Sequence, residues 1–147
     1  MVVSEGVRNG EGQFLSDAGL RDAFGHAQLG GVAPVIAGIK EAAREAGRSI
    51  DEDHFGASFP FRFGSMDDPV VQRAAAAFEK RTGRHEPEYF GVGDAEDIIE
   101  RLRNFVGAGA FKFVLRPISD GDEDTMHQTK LLIDEVLPVV HAKNFKA

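Results

Sequence analysis

The stretch HFGASFPFRF, His54 to Phe63, alternates without a break, and its reading decides the fold. Phe55, Ala57, Phe59, Phe61 and Phe63 share one parity, while Gly56, Ser58, Pro60 and Arg62 share the other. A period of two predicts a β-strand with one heavily apolar face and one face of small or polar residues. Pro60 has no N–H to give a ladder, so regular pairing is expected to weaken near it. A second strand is predicted at FKFVLRP, where Phe111, Phe113 and Leu115 oppose Lys112, Val114 and Arg116.

Helical signals surround these two strands. PVIAGIKEAAREAG starts on Pro34, groups Val35, Ile36, Ile39, Ala42, Ala43 and Ala46 on one broad face, and stops at Gly47. DDPVVQRAAAAFEKRTG has Asp68 as cap, Pro69 at its start and Gly83 after its basic end. GDAEDIIERLRNFVGAGA is the cleanest helix, capped by Asp94 and ended by Gly107 and Gly109, with Ile98, Ile99, Leu102, Phe105 and Val106 at helical spacing. EDTMHQTKLLIDEVLPVVHA supplies the last helix, which Pro138 should bend or shorten one turn before its end. QLGGVAP reads as a loop or hinge and RHEPEYFGVG as a loop. Near the start, Ser16 is placed to cap a short helix, with Leu20 and Phe24 one turn apart.

The order helix, strand, helix, helix, strand, helix predicts an α/β protein with parallel strands joined by crossovers. The phenylalanine parity would meet outer helices, and the glycine, serine and arginine parity would face a barrel interior or cleft. Two clear strands do not make a closed barrel.

Composition narrows the function. The chain has 147 residues and a formal charge of -7, which disfavours a nucleic-acid binder needing a basic face, and an anionic membrane surface as well. There is no cysteine, so disulfides, thiolate metal sites and cysteine nucleophiles are excluded. The N-terminus MVVSEGVRNGEG lacks the basic-then-apolar order of a signal peptide, and no apolar run approaches the ~20 residues of a membrane span. A cytoplasmic location is the expectation.

Arg62 and Arg116 each end a predicted strand on its less apolar parity. At the C-terminal rim of an α/β barrel such arginines would clamp an anionic group of substrate or cofactor. The structural alternative pairs Arg116 with Asp120, Asp122 or Asp124, and Arg62 with Asp67 or Asp68. The spacing of Asp120, Asp122 and Asp124 resembles a calcium loop. However, Thr125 and Leu131 stand where that loop needs glycine and glutamate, so the acids read as first-turn partners of the helix dipole. GVGDAE is no dinucleotide fingerprint, no G-x-S-x-G elbow occurs, and the five histidines lack ligand spacing. HEPE, His85 to Glu88, reads as a solvated loop rather than a metal site.

The segments IDEDHFGASFPFRFG and GDAEDIIERLRNFVGAGAFKFVLRPISDGDED, with the closing EVLPVV, resemble the C-terminal portion of the luciferase-like oxidoreductases. The similarity runs from about residue 32 to residue 147, leaving 1–31 as a divergent N-terminal segment. The resemblance implies a partial (β/α)8 TIM barrel, its last strands and helices with parallel pairing. It also implies a flavin- or deazaflavin-dependent oxidoreductase or monooxygenase, whose cofactor is FMN or the deazaflavin coenzyme F-420. Arg62 and Arg116 would then match the phosphate- or substrate-binding rim, and Ser58 and Lys112 interior positions of the same strands. Most cofactor contacts in that family come from earlier strands, so cofactor binding by this chain alone is expected to be weak or absent, and the chain reads as incomplete for catalysis. No catalytic residue or metal is assigned. The expected partners are a small-molecule substrate and a second chain, either in a homodimer or as a complementing barrel half. The alternative is a non-catalytic α/β module that self-associates to cover its sheet edges.

Overall fold

The computed structural model describes residues 29–85 and 89–145. The short helix expected at Ser16, Leu20 and Phe24 lies outside them. Seven principal elements follow one another: α1 (Leu29–Glu45), β1 (Gly56–Phe63), α2 (Pro69–Thr82), β2 (Gly91–Gly93), α3 (Ala95–Gly107), β3 (Lys112–Pro117) and a last helix. That helix comprises α4 (Gly121–Leu131), a π-turn (Leu132–Val136) and α5 (Leu137–Val140). A single 3-10 turn, Glu52–His54, leads into β1.

The three strands form one sheet in the order β2-β1-β3, and every pairing is parallel. The two strands read from the sequence lie side by side, in register from Gly56 opposite Lys112 to Phe61 opposite Pro117. The architecture is mixed α/β with an all-parallel sheet, as expected for part of an α/β barrel. Three sequence expectations need correction, the third of them at Pro60 below. GVG forms a third strand where a loop was expected, pairing only with the end of β1, from Phe61↔Gly91 to Phe63↔Gly93. Two glycines hide it from any propensity scale, yet Gly91 is required, because a β-carbon there would stand 2.7 Å from the Phe59 ring. The segment before Pro34 is also helical rather than a hinge, so the proline sits inside α1. Val32 in that upstream turn is buried in the core, which offsets the hydrogen bond Pro34 cannot make.

Pro60 leaves the strand unbroken, for a reason that lies in the ladder. Phe55 and Phe61 direct their carbonyls to β3, accepting from Lys112 and Ile118, whereas Gly64 donates to Gly93 on the β2 side. Even-numbered residues of β1 therefore face β2, and β2 begins only opposite Phe61. The missing N–H of Pro60 has no partner to lose.

One face of the sheet carries the core. Phe59 and Phe61 are fully buried with Ile98, Ile99, Leu102 and Phe105 of α3, and the Phe59 and Phe105 rings stack at 5.4 Å. The α3 helix is fixed in place by a capping box in which Asp94 accepts from Asp97 N–H and Asp97 returns the bond to Asp94 N–H. The π-turn precedes Pro138 in the last helix. There Leu137 N–H reaches back five residues to Leu132, and Val136 drops into the core. Among the described residues no helix is long and apolar enough to cross a membrane.

Gln128 of α4 ends the ladder. Its amide oxygen accepts from Phe63 N–H at 2.8 Å and its amide nitrogen donates to Phe63 C=O at 3.3 Å, just beyond the last residue of β3. At 2% exposure this side chain stands in for the next peptide of a neighbouring strand. Gln128→Leu should therefore lower stability by about 1–3 kcal/mol through two unpaired groups of Phe63. A drop in the urea midpoint without a change in slope, with faster exchange of the Phe63 amide, is the expected result.

Candidate functional site

The face of the sheet opposite the core is built from Ser58, Pro60 and Arg62 of β1 and Val114 and Arg116 of β3. Its N-terminal part is open, with Val114 62% exposed. Over its C-terminal part lies α2, where Val71 and Phe78 are buried together with Phe90 and Ile118. Helix spacing sets Arg73, Ala74, Ala77, Phe78 and Arg81 along the side of α2 that meets the strand ends. Between helix and sheet runs a groove of about 540 Å³, floored by Phe78, Phe90 and Ile118.

Three aromatic rings stiffen this floor. Phe78 and Tyr89 stack at 4.8 Å, and Phe90 meets both edge-on, at 5.7 Å from Phe78 and 5.6 Å from Tyr89. The polar groups come from the rim. Arg116 Nη2 donates to the Tyr89 hydroxyl at 3.2 Å, and the Arg81 guanidinium lies 5.8 Å from the centre of the Phe78 ring. Arg73 is bonded to Asp120 at 3.0 Å. Among the described residues neither Arg81 nor Arg116 has a carboxylate partner. The structural alternative for Arg116, an ion pair with Asp120, Asp122 or Asp124, is thus not what the structure shows. Two of those acids are drawn elsewhere, Asp120 to Arg73 and Asp124 to Arg62.

Arg62 sits beside the groove in an ion network of its own. Its Nη1 donates to Asp124 at 2.8 Å and to Ile118 C=O at 2.9 Å, and its Nε lies 3.3 Å from Asp68. Burial works against the Arg62 charge, but the hydrogen bonds to Asp124 and Asp68 outweigh it and raise its pKa. Asp124 is held below its ordinary value, first by the Asp120 N–H and then by Arg62. Asp68 caps α2 without a side-chain bond to that helix, accepting instead from Ser65 N–H and Arg62.

The other sequence candidates stand apart. Ser58 is exposed on the polar face, outside the groove. Lys112 lies at the opposite end of β3, its Nζ 3.7 Å from Asp53. Asp51, Asp53 and His54 bring ligand atoms within 4.8 Å of one another, but all three are exposed, and Asp53 is already shared between His54 and Lys112. His85 of the HEPE segment lies 3.3 Å from Glu79, and residues 86–88 fall outside the described part. Sequence reasoning missed Arg73, Arg81 and Tyr89. The signal was present in two arginines eight residues apart on one side of α2, flanking Phe78.

A depressed carboxylate stabilises the fold where it is ionised. The Asp124 contribution is therefore complete above its unfolded value of about 3.9 and is lost as pH falls through its lowered folded value. Asp124→Asn should destabilise the chain at pH 7, and the difference from the parent should shrink in urea titrations at about pH 3.

Comparison with known proteins bears on the fold more than on the chemistry. No family model matches the chain. A monooxygenase, RslO1 from Streptomyces bottropensis, superposes with a TM-score of 0.57 over 77% of this chain and 39% of its own, at 16% identity. The fold is therefore shared with part of a monooxygenase. Short segments also match pyrophosphate–fructose 6-phosphate 1-phosphotransferases, 62% identical over 39 residues in Methylococcus capsulatus and 64% over 39 residues in Halomonas elongata. These matches take in 26% of this chain, which spans about 9% of the length of those relatives.

Proposed function

We propose that the chain is the C-terminal part of a luciferase-like flavin- or deazaflavin-dependent oxidoreductase or monooxygenase, incomplete for catalysis by itself. The observation that carries this reading is the β1–β3 pair. Its apolar face is covered by α3, its opposite face carries Ser58, Arg62 and Arg116 and is open in its N-terminal part, and the whole is shared in fold with 39% of a monooxygenase chain. A phosphotransferase reading has only a 39-residue match behind it, and the fold likeness is to a different enzyme class.

The side chains present fit one end of such a cofactor. Arg116, Arg81 and the Tyr89 hydroxyl offer donors suited to a phosphate or carboxylate. A flat ring system needs walls on both sides, and beside Ser58 the surface is open. When bound, FMN or the deazaflavin would carry the redox step, and the role of this chain would be to hold and orient an anionic group. In this reading Arg62 keeps the rim rigid, fixing Ile118 through its carbonyl while the Ile118 side chain floors the groove.

A second reading draws on the exposed apolar residues Phe111 and Val114, 50% and 62% exposed on β3 or just before it. The two lie on opposite parities of the chain, so a second copy, or a complementing barrel half, would have to wrap the outer edge of β3 to cover both. A monomer by light scattering at high concentration, with cooperative melting, would count against self-association.

For the main reading, the purified 147-residue chain is expected to bind FMN and coenzyme F-420 weakly or not at all in equilibrium fluorescence titrations. Tight stoichiometric binding of either would overturn the incompleteness it asserts.

A further inference from the structure

We propose that the groove beneath α2 is itself a binding site for a small aromatic anion, one or two rings carrying a carboxylate or phosphate. This goes beyond the oxidoreductase reading, since the groove is formed within this chain and needs neither cofactor nor further strands.

The local charge of the groove runs against the net charge of the chain. The chain as a whole carries -7, yet among the described residues the charged groups lining the groove are Arg73, Arg81 and Arg116 against the carboxylate of Asp120. An anion is thus drawn to a positive site on a negative protein. Arg73 is committed to Asp120, which leaves Arg81 and Arg116 as the donors for a ligand. They stand on opposite walls of the groove, one on α2 and one on β3, so donors face it from two sides. Arg116 is steadied by Tyr89, and Arg81 lies near the Phe78 ring; both are half-oriented before a ligand arrives.

The floor selects for the rest of the ligand. Phe78 and Phe90 are buried beneath the groove and Tyr89 is half-buried at its side, so the floor is aromatic and suits a flat apolar body better than a sugar or a bare ion. A volume of about 540 Å³ is at the smaller end of ligand pockets, enough for a compact molecule and short for a dinucleotide.

Tyr89 is the only tyrosine in the chain, so its ring resonances report on this groove alone. With tyrosine-labelled protein, benzoate and phenyl phosphate should shift those resonances saturably at concentrations up to about 10 mM. Benzyl alcohol and inorganic phosphate, which lack the charge or the ring, should bind at least about tenfold more weakly. Arg81→Met and Arg116→Met should each weaken the aromatic anions about tenfold, with the circular dichroism spectrum unchanged. Ala77→Glu, which sets a negative charge on the exposed α2 wall, should do the same and leave benzyl alcohol unaffected. Equal affinity for benzyl alcohol would reduce the groove to an apolar patch, and equal affinity for inorganic phosphate would reduce it to an anion site; either result overturns the proposal. So does an absence of saturable binding, or indifference to all three substitutions. FMN binding more tightly than the one-ring acids through the same arginines would make this a cofactor site and overturn it too, while supporting the oxidoreductase reading.

Discussion

Two parallel strands with their phenylalanines on one side impose most of what this molecule does. Parallel pairing gives up the option of a short hairpin, so a helix must return the chain to the start of each strand. The Phe59–Phe105 stack and the burial of Phe61 settle where α3 goes, because burying each ring contributes roughly 2–3 kcal/mol that an exposed ring would forfeit. Once α3 occupies that face, Ser58, Val114 and Arg116 are committed to the other. The polar face follows from the packing of the apolar one, with no separate instruction needed.

The C-terminal ends of the strands are held by polar rather than apolar contacts. Gln128 completes the backbone pairing of Phe63, and Arg62 joins Asp68, Asp124 and the Ile118 carbonyl. These contacts connect β1 with the start of α2 and the first turns of α4, elements that share little apolar surface with one another. Arg62 is 16% exposed and Asp124 22%, so this network is partly desolvated and holds its geometry better than the solvated pairs around it. The result is a rigid rim on which Ile118, Ser119 and Arg116 are carried toward the groove.

The sequence made the long elements legible because burial periodicity and propensity agree there. The alternation from Phe55 to Phe63 and from Phe111 to Arg116 announced both long strands, and Asp94 with Ile98, Ile99, Leu102 and Phe105 announced α3. β2 was illegible because its strand character comes from the partner. Gly91 and Gly93 have no β preference, and the sheet forms there because only glycine lets the chain approach Phe59. The start of α1 was hidden by Pro34, whose local cost is outweighed by the burial of Val32. Of the candidate residues, Arg116 reached the groove as its parity required. Arg62 has the same parity, but the acids that define its role lie at positions 68 and 124, and no local window contains both. Tyr89 and Arg81 became visible only through the position of α2 over the strand ends.

That position also separates two kinds of surface that share one sheet face. Under α2 the face is covered, aromatic and lined by arginines; beside Ser58 and Val114 it is open, with Lys112 the charge at its far end. An open parallel sheet face is unusual, since such sheets are ordinarily covered on both sides. The two halves therefore have different requirements. The half under α2 has two walls, donors and an aromatic floor, and in the proposal above needs nothing more for a small ligand. The open half has one wall and is complete only when another surface, from further strands or another chain, is set against it. Chemistry that needs both halves at once has to wait for that second surface, whereas recognition of an anion under α2 does not.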